Sequence, residues 1–200
     1  MKNWYCVLDF EATCWEERNM KSQSEIIEFP SVLICHDTHQ NTCEIISEFH
    51  EYCRPVLNPV LSEFCNGLTG ITQEQVDAAD IFPNVYRRHY EWLVANTPAG
   101  ITPKIITCGG WDIKTMLPME LARYPDLPIH HPYTQFVNIK KEFETFYGKF
   151  VGGMYNMLKA LNMTLDGRHH SGIDDTRNIT KILVKMLTDG HRNLRTVRVE

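Results

Sequence analysis

Tyr5-Cys6-Val7-Leu8-Asp9-Phe10 runs into Glu11-Ala12-Thr13-Cys14, and the reading of this stretch decides the fold. Residues 5–10 predict a short strand of buried type, because an unbroken apolar run suits a strand covered on both faces. Successive strand side chains alternate faces, so Asp9 and Glu11 project to one side while Phe10 turns into the core. Two carboxylates side by side repel each other. They are tolerated where a cation sits between them or where solvent screens them. An ordinary solvated strand end meets that condition as well as a metal site does.

Working outward, residues 31–35 (Ser-Val-Leu-Ile-Cys) predict a second strand and residues 43–50 a looser third, with 36–42 as the hairpin turn between them. Residues 82–96 read as helical, and 104–107 as a fourth strand running into Gly109-Gly110. A helix is expected from Trp111, broken or kinked at Pro118. Two more helices are expected over 138–147 and 153–162. The last helix is the clearest: Ile179, Ile182, Leu183, Met186 and Leu187 form one apolar stripe, and Gly190 supplies a stop. Early strands followed by helices interleaved with a later strand predict a mixed α/β sheet flanked by helices. No repeat or Gly/Ser/Pro-rich linker divides the sequence, so a single domain over 1–200 is expected, its core at about 4–190.

The 200 residues are 43% apolar and 22% charged, which argues against wholesale disorder. No run of about 18 uncharged apolar residues occurs, so no spanning helix and no membrane partner is expected. The first residues show no signal-peptide pattern. Seven cysteines, an odd number at scattered spacing with no CxxC pair, are expected to be free thiols in a reducing compartment. Cytoplasm is the expected location, with a nuclear pool left open. The net charge of −5 argues against a large basic face for nucleic acid. Lys140-Lys141, Arg87-Arg88 and Arg192, Arg195 and Arg198 are scattered and read as solvated surface.

Two further words carry chemistry. Asp112 follows the fourth strand and the Gly-Gly turn, where an acid also serves a helix N-terminus through the macrodipole. His170-Ser171-Gly172-Ile173-Asp174-Asp175 precedes the last helix, and either aspartate there suits a cap. Asp175 lies four residues before Ile179, so its side chain leaves on the buried stripe. His170 sits in the loop before it, able to reach the same place. An acid pair, a third acid and His-x4-Asp make a hard-oxygen set without a matching Cys/His group, which suits Mg²⁺ or Mn²⁺ rather than zinc. The histidine outside the carboxylates suits a general base.

The order Asp-x-Glu, Asp, His-x4-Asp resembles the DEDDh 3′-to-5′ exonucleases. The surrounding words resemble the "enhanced RNAi" (Eri-type) exoribonuclease branch: residues 8–14, Glu25-Ile26-Ile27-Glu28-Phe29-Pro30, Leu68-Thr69-Gly70-Ile71-Thr72, Gly110-Trp111-Asp112 and 167–175. The likeness runs in order from about residue 4 to 190. It implies a ribonuclease-H-like fold with a five-stranded mixed sheet. It implies ligation of two divalent ions, Mg²⁺ or Mn²⁺, by Asp9, Glu11, Asp112 and Asp175, with His170 as general base. These five are the expected catalytic residues. The implied reaction releases nucleoside 5′-monophosphates from the 3′ end of RNA, with DNA or short oligonucleotides left open as substrates. The four carboxylates account for most of the net charge of −5, so two divalent ions would nearly cancel it. Neighbouring carboxylates are expected to raise the pKa of His170 and bound metal to lower it, with activity rising through that pKa.

The likeness also implies a pocket for the terminal nucleotide, walled by Leu68, Thr69 and the backbone from Glu11 to Ala12, with His170 at its edge. Phe64 and Trp111 are candidate stacking residues, and core packing is an equal reading of both. Where the branch has Arg-Pro-His, this chain has Arg168-His169-His170. His169 is read as a loop residue, though His169 with Asp174 keeps the same spacing. Cys35-His36, His39 and Cys43 superficially resemble a zinc set, but they span a predicted hairpin and no structural zinc is expected. A catalytically inactive RNA- or protein-binding module is the competing class. All five positions are filled, which argues against it. Some members carry an extra N-terminal nucleic-acid-binding domain. The chain opens on its first strand, so targeting is expected to come from the core or from a partner not identified by the sequence. A monomer is expected.

Overall fold

The computed structural model describes residues 1–199 and, within them, all side chains but those of residues 18 and 19. Its strands are β1 (Lys2–Leu8), β2 (Glu11–Ala12), β3 (Ile26–Asp37), β4 (Thr42–Arg54), β5 (Asp80–Ile81), β6 (Lys104–Thr107), β7 (Gln135–Asn138) and β8 (Val197–Arg198). Its helices are α1 (Glu63–Thr69), α2 (Gln73–Asp77), α3 (Phe82–Asn96), α4 (Leu117–Leu121), α5 (Ile139–Tyr147), α6 (Met154–Ala160) and α7 (Gly172–Thr188). None of the described helices is long and apolar enough to cross a membrane.

The sheet has eight strands in the order β5-β4-β3-β1-β6-β7-β8, with β2 paired to β3. It is mixed: β1 runs antiparallel to β3 and parallel to β6, and β7 is parallel to β6. The α/β class is as the sequence implies, but the strand number is eight rather than five. The additions include β2, β5 and β8, each of two residues. Such pieces exist because a partner backbone is in reach, and their own side chains carry no period to read. The four-residue β7 is too short for periodicity to separate it from the helix that follows.

Each face of the sheet is covered. Cys6, Leu8, Phe29 and Leu33 join α3 and the 113–121 segment in one core, while Tyr5, Val7, Val32 and Ile34 join α5, α6 and α7 in the other. The alternation along β1 therefore sends one side chain to each core in turn. The stripe expected on the last helix is observed, with Ile179, Ile182, Leu183, Met186 and Leu187 all fully buried.

Two departures from the sequence reading shape the functional end of the sheet. β1 stops at Leu8, opposite Ser31, and pairing with β3 resumes only at Glu11 opposite Glu28. The gap faces Pro30, which lies inside β3 and has no N–H to offer a neighbouring strand. Asp9 and Phe10 are thereby released from the ladder. The helix expected from Trp111 begins as one wide π-turn over Asp112–Met116 and continues into α4. Pro118 does not end it. It is the second residue of α4, directly after the wide turn.

Candidate active site

The site lies at the carboxyl ends of the adjacent parallel strands β1 and β6. Freed from the ladder, the Phe10 amide donates to Asp112 Oδ1 at 3.0 Å, which ties the end of β1 to the segment after β6. The Phe10 ring packs edge-on against Phe29, their centroids 4.6 Å apart. With Phe10 anchored inward, Asp9 and Glu11 face the other way. Carboxylate oxygens of Asp9, Glu11 and Asp175 lie within 4.8 Å of one another. Asp9, Glu11 and Asp175 are thereby gathered from two segments of chain, and the Phe10 amide holds Asp112, from a third, against the end of β1.

Their electrostatics are those of crowded, desolvated anions. Burial first, then Asp112, Glu11, Asp175 and Glu28, raise the Asp9 carboxyl well above the usual range. Burial and then Glu28, Asp175 and Asp112 push Glu11 up to about 9. Asp112 is pushed to about 6 by burial, against the opposing pull of the Phe10 amide and of Lys140. Lys140, read from sequence as solvated surface, is thus part of the surroundings of the site. Asp175 is raised by burial, with the His170 amide opposing. One of its oxygens accepts from that amide at 2.9 Å, while Oδ1 is buried with no partner among the described residues. Several carboxylates and an orphaned oxygen turned to one place form a hard-oxygen donor set that fits a divalent cation.

A feature missed by sequence reasoning positions Asp175. Glu28 on β3 is buried and accepts from the Gly172 and Ile173 amides at 2.9 and 3.1 Å, and His50 Nε2 lies 2.8 Å from it. This is a helix N-terminus capped by an acid from another element, with the charge sign the helix favours. Close approach needs Gly172: a Cβ there would meet Glu28 Oε2 at 2.8 Å and the Asp9 carbonyl at 3.0 Å. Glu28 stands in a word quoted for the family likeness, but its partners lie 144 and 145 residues away.

His170 sits in the loop before α7, exposed, with a left-handed φ of 67° that aims its amide at Asp175. Burial, then His169 and Arg168, lower its pKa from the ordinary histidine value. The sequence argument expected the carboxylates to raise it. Burial, His169 and Arg168 together outweigh the nearby Asp175 carboxylate. Arg168 also joins this loop to the expected pocket wall, donating to the carbonyls of Gly67 and Leu68 at 2.6 and 3.3 Å.

The wall residues divide. Leu68 is half-buried beside Arg168, and Ala12 is buried, its carbonyl accepting from the Cys65 thiol. Thr69 is buried with its hydroxyl donating to the Cys65 carbonyl and accepting from the Ile71 amide, so that side chain is committed to ending α1. Phe64 and Trp111 are 44% and 45% exposed, which excludes core packing as their role. Phe64 lines a cavity of about 360 Å³ with Cys14, Trp15 and Lys21. Trp15 escaped notice because its segment has no periodic pattern. All seven cysteines are free thiols.

The family model described as "Exonuclease" matches residues 6–183. The chain belongs to the exonuclease family. Among relatives of this exonuclease family member, mouse 3′-5′ exoribonuclease 1 is 43% identical over 196 residues, covering 94% of this chain and 54% of the relative. The chain spans about half the length of the curated relatives it matches. Among solved structures, the nuclease domain of 3′hExo, described as a DEDDh family member bound to rAMP, superposes with a TM-score of 0.88 at 38% identity, covering 99% of this chain and 98% of that one. A 3′-exonuclease described in 3′-end-specific recognition of a histone mRNA stem-loop gives a TM-score of 0.85 at 35% identity, covering 99% and 91%. Within the family the chain falls in the Eri-type DEDDh branch, whose members use divalent metal ions.

Proposed function

We propose that residues 1–200 form one nuclease domain that removes nucleotides from the 3′ end of RNA. The observation that carries this reading is the cluster of Asp9, Glu11 and Asp175 beside the His170 loop, with Asp112 tied to the Phe10 amide and Asp175 Oδ1 buried without a partner among the described residues. The likeness to a domain described as bound to rAMP, and to one described with an RNA stem-loop, supports RNA as the substrate. The four carboxylates would hold two divalent ions, Mg²⁺ or Mn²⁺. Bound there, the metal supplies a nucleophile from water at neutral pH and charge stabilisation at the phosphate.

The chain's own residues do the rest. His170, neutral because its pKa is lowered, accepts the proton of the attacking water at a ring nitrogen. Glu28 fixes the first turn of α7 and with it Asp175. Leu68 and Ala12 bound the terminal nucleotide, and Phe64 and Trp111 offer exposed rings on which any base stacks. Oligomeric state and location enter the same reading as a monomer in the cytoplasm.

A time course on 5′-labelled single-stranded RNA tests this, beside a matched DNA, in Mg²⁺, Mn²⁺ and EDTA. The expected result is a metal-dependent ladder shortening from the 3′ end, faster on RNA and absent in Asp9→Ala. A folded protein that shortens neither strand with either metal overturns the enzyme reading.

A further inference from the structure

His169 has no part in that reaction, yet the fold does not leave it idle. The Gly167–Ser171 loop is pinned at both ends: the Arg168 amide donates to Asp174 at 2.9 Å and the His170 amide to Asp175 at 2.9 Å. Held this way, the rings of His169 and His170 stand 4.0 Å apart between centroids at 76°. Tyr155 meets the edge of His169 at 6.2 Å on another side. One ligand atom each from His169, His170 and Asp175 lie within 4.8 Å of one another. Asp175, which belongs to both clusters, is 4% exposed and its Oδ1 has no hydrogen-bond partner among the described residues.

We propose that His169, His170 and Asp175 form a zinc site that locks the general-base histidine. Two imidazoles and one carboxylate are a borderline nitrogen-and-oxygen set, which Zn²⁺ takes and Mg²⁺, preferring oxygen and water, does not. Zinc–ligand bonds of about 2.0–2.1 Å in a tetrahedron bring donors to roughly 3.4 Å, so the rings must close in. His170 is exposed and His169 half-buried, so side-chain rotation is open to both. The fourth position is left for water. Zinc held there occupies the ring nitrogen that would take a proton and draws Asp175 away from the cluster with Asp9 and Glu11. That consequence rests on the proposed function. The binding does not.

The test is Zn²⁺ titration of the metal-free full chain in competition with a chromogenic chelator, for wild type, His169→Ala, His169→Asn and Asp9→Asn. Binding about tenfold or more weaker in both His169 variants, with Asp9→Asn unchanged, is the expected result. Equal affinity in wild type and the His169 variants overturns the site, and so does zinc lost in Asp9→Asn but kept in His169→Ala. In the nuclease assay with Mg²⁺, His169→Ala should keep the zinc-free rate and need about tenfold more zinc for half inhibition. If the chain cleaves nothing, the chelator titration still decides the zinc site while the nuclease reading falls.

Discussion

Two sets of acids lie at the same end of this sheet and are treated in opposite ways. Glu25 accepts from the amides of Val56, Leu57 and Asn58, Glu28 from those of Gly172 and Ile173, and Glu120 from the Ile26 amide and Arg123. Asp112 and Asp175 each accept from one neighbouring amide, of Phe10 and His170, and among the described residues the carboxylates of Asp9 and Glu11 accept none. A buried carboxylate without partners is costly unless a cation arrives. The first set ties loops and helix ends to the sheet. The second stores a charge imbalance that a divalent ion removes.

Substitution at the cleft breaks this comparison most directly. Asp9→Asn should lower 3′-end cleavage by on the order of 10³–10⁵, while metal-free thermal stability stays level or rises as repulsion is relieved. Added Mg²⁺ or Mn²⁺ should raise the melting temperature of wild type more than that of the variant. An Asp9→Asn protein that unfolds as easily as a Glu28 variant would make the cleft acids structural, and the contrast would be gone.

His170→Ala comes next. It should cost about 10²–10⁴ in rate and leave the metal-induced stabilisation nearly intact. In wild type the lowered pKa fixes the sign: the neutral ring is the base, so activity is full above that pKa and lost as pH falls through it. A rate that does not fall as pH drops from 6.5 toward about 4 under chemistry-limited conditions counts against His170 as base.

Glu28→Ala tests the other half. It strands the buried amides of Gly172 and Ile173 and removes an acid from a helix N-terminus. A loss of about 2–4 kcal/mol in urea unfolding is expected. Glu28→Gln should lose less, since an amide oxygen still accepts one of the two bonds. If both variants unfold like wild type, the capping carries no weight.

This contrast also marks what could be read from the sequence. Asp9, Glu11, Asp112, His170 and Asp175 were legible because their spacing is local, at strand ends and a helix entrance, and because together they resemble one family. Glu25 and Glu28 stood in a quoted word without a role, since their partners are backbone amides 31 to 145 residues away. Side chains announce themselves in a sequence, and amides do not. The apolar run over 31–35 marks only the middle of β3, which extends from Ile26 to Asp37 and runs straight through Pro30. What made Pro30 tolerable is the break in β1 opposite, which is the feature that frees Asp9 and the Phe10 amide.

The smallest effect concerns a buried base rather than a buried acid. His89 is fully buried, with Nδ1 2.5 Å from the Tyr133 hydroxyl, Nε2 2.7 Å from Ser31 Oγ and its ring stacked on Phe29 at 4.2 Å. Burial lowers its pKa from 6.5 to about 3. The unfolded chain therefore binds a proton below pH 6.5 that the folded chain refuses, and stability falls as pH falls from there toward 3. At about 1.4 kcal/mol per pH unit, this one group should cost roughly 2 kcal/mol at pH 5. The cleft acids act with the opposite sign. Glu11, raised to about 9, takes a proton in the folded state first and so adds stability as pH falls from 9 toward 4.5. The two are separated by the difference in urea stability between wild type and His89→Gln, since both chains keep the cleft. That difference should be largest near pH 7 and shrink steadily below pH 6.5. Parallel curves would mean that His89 takes a proton inside the fold, so its hydroxyl partners do not hold it neutral.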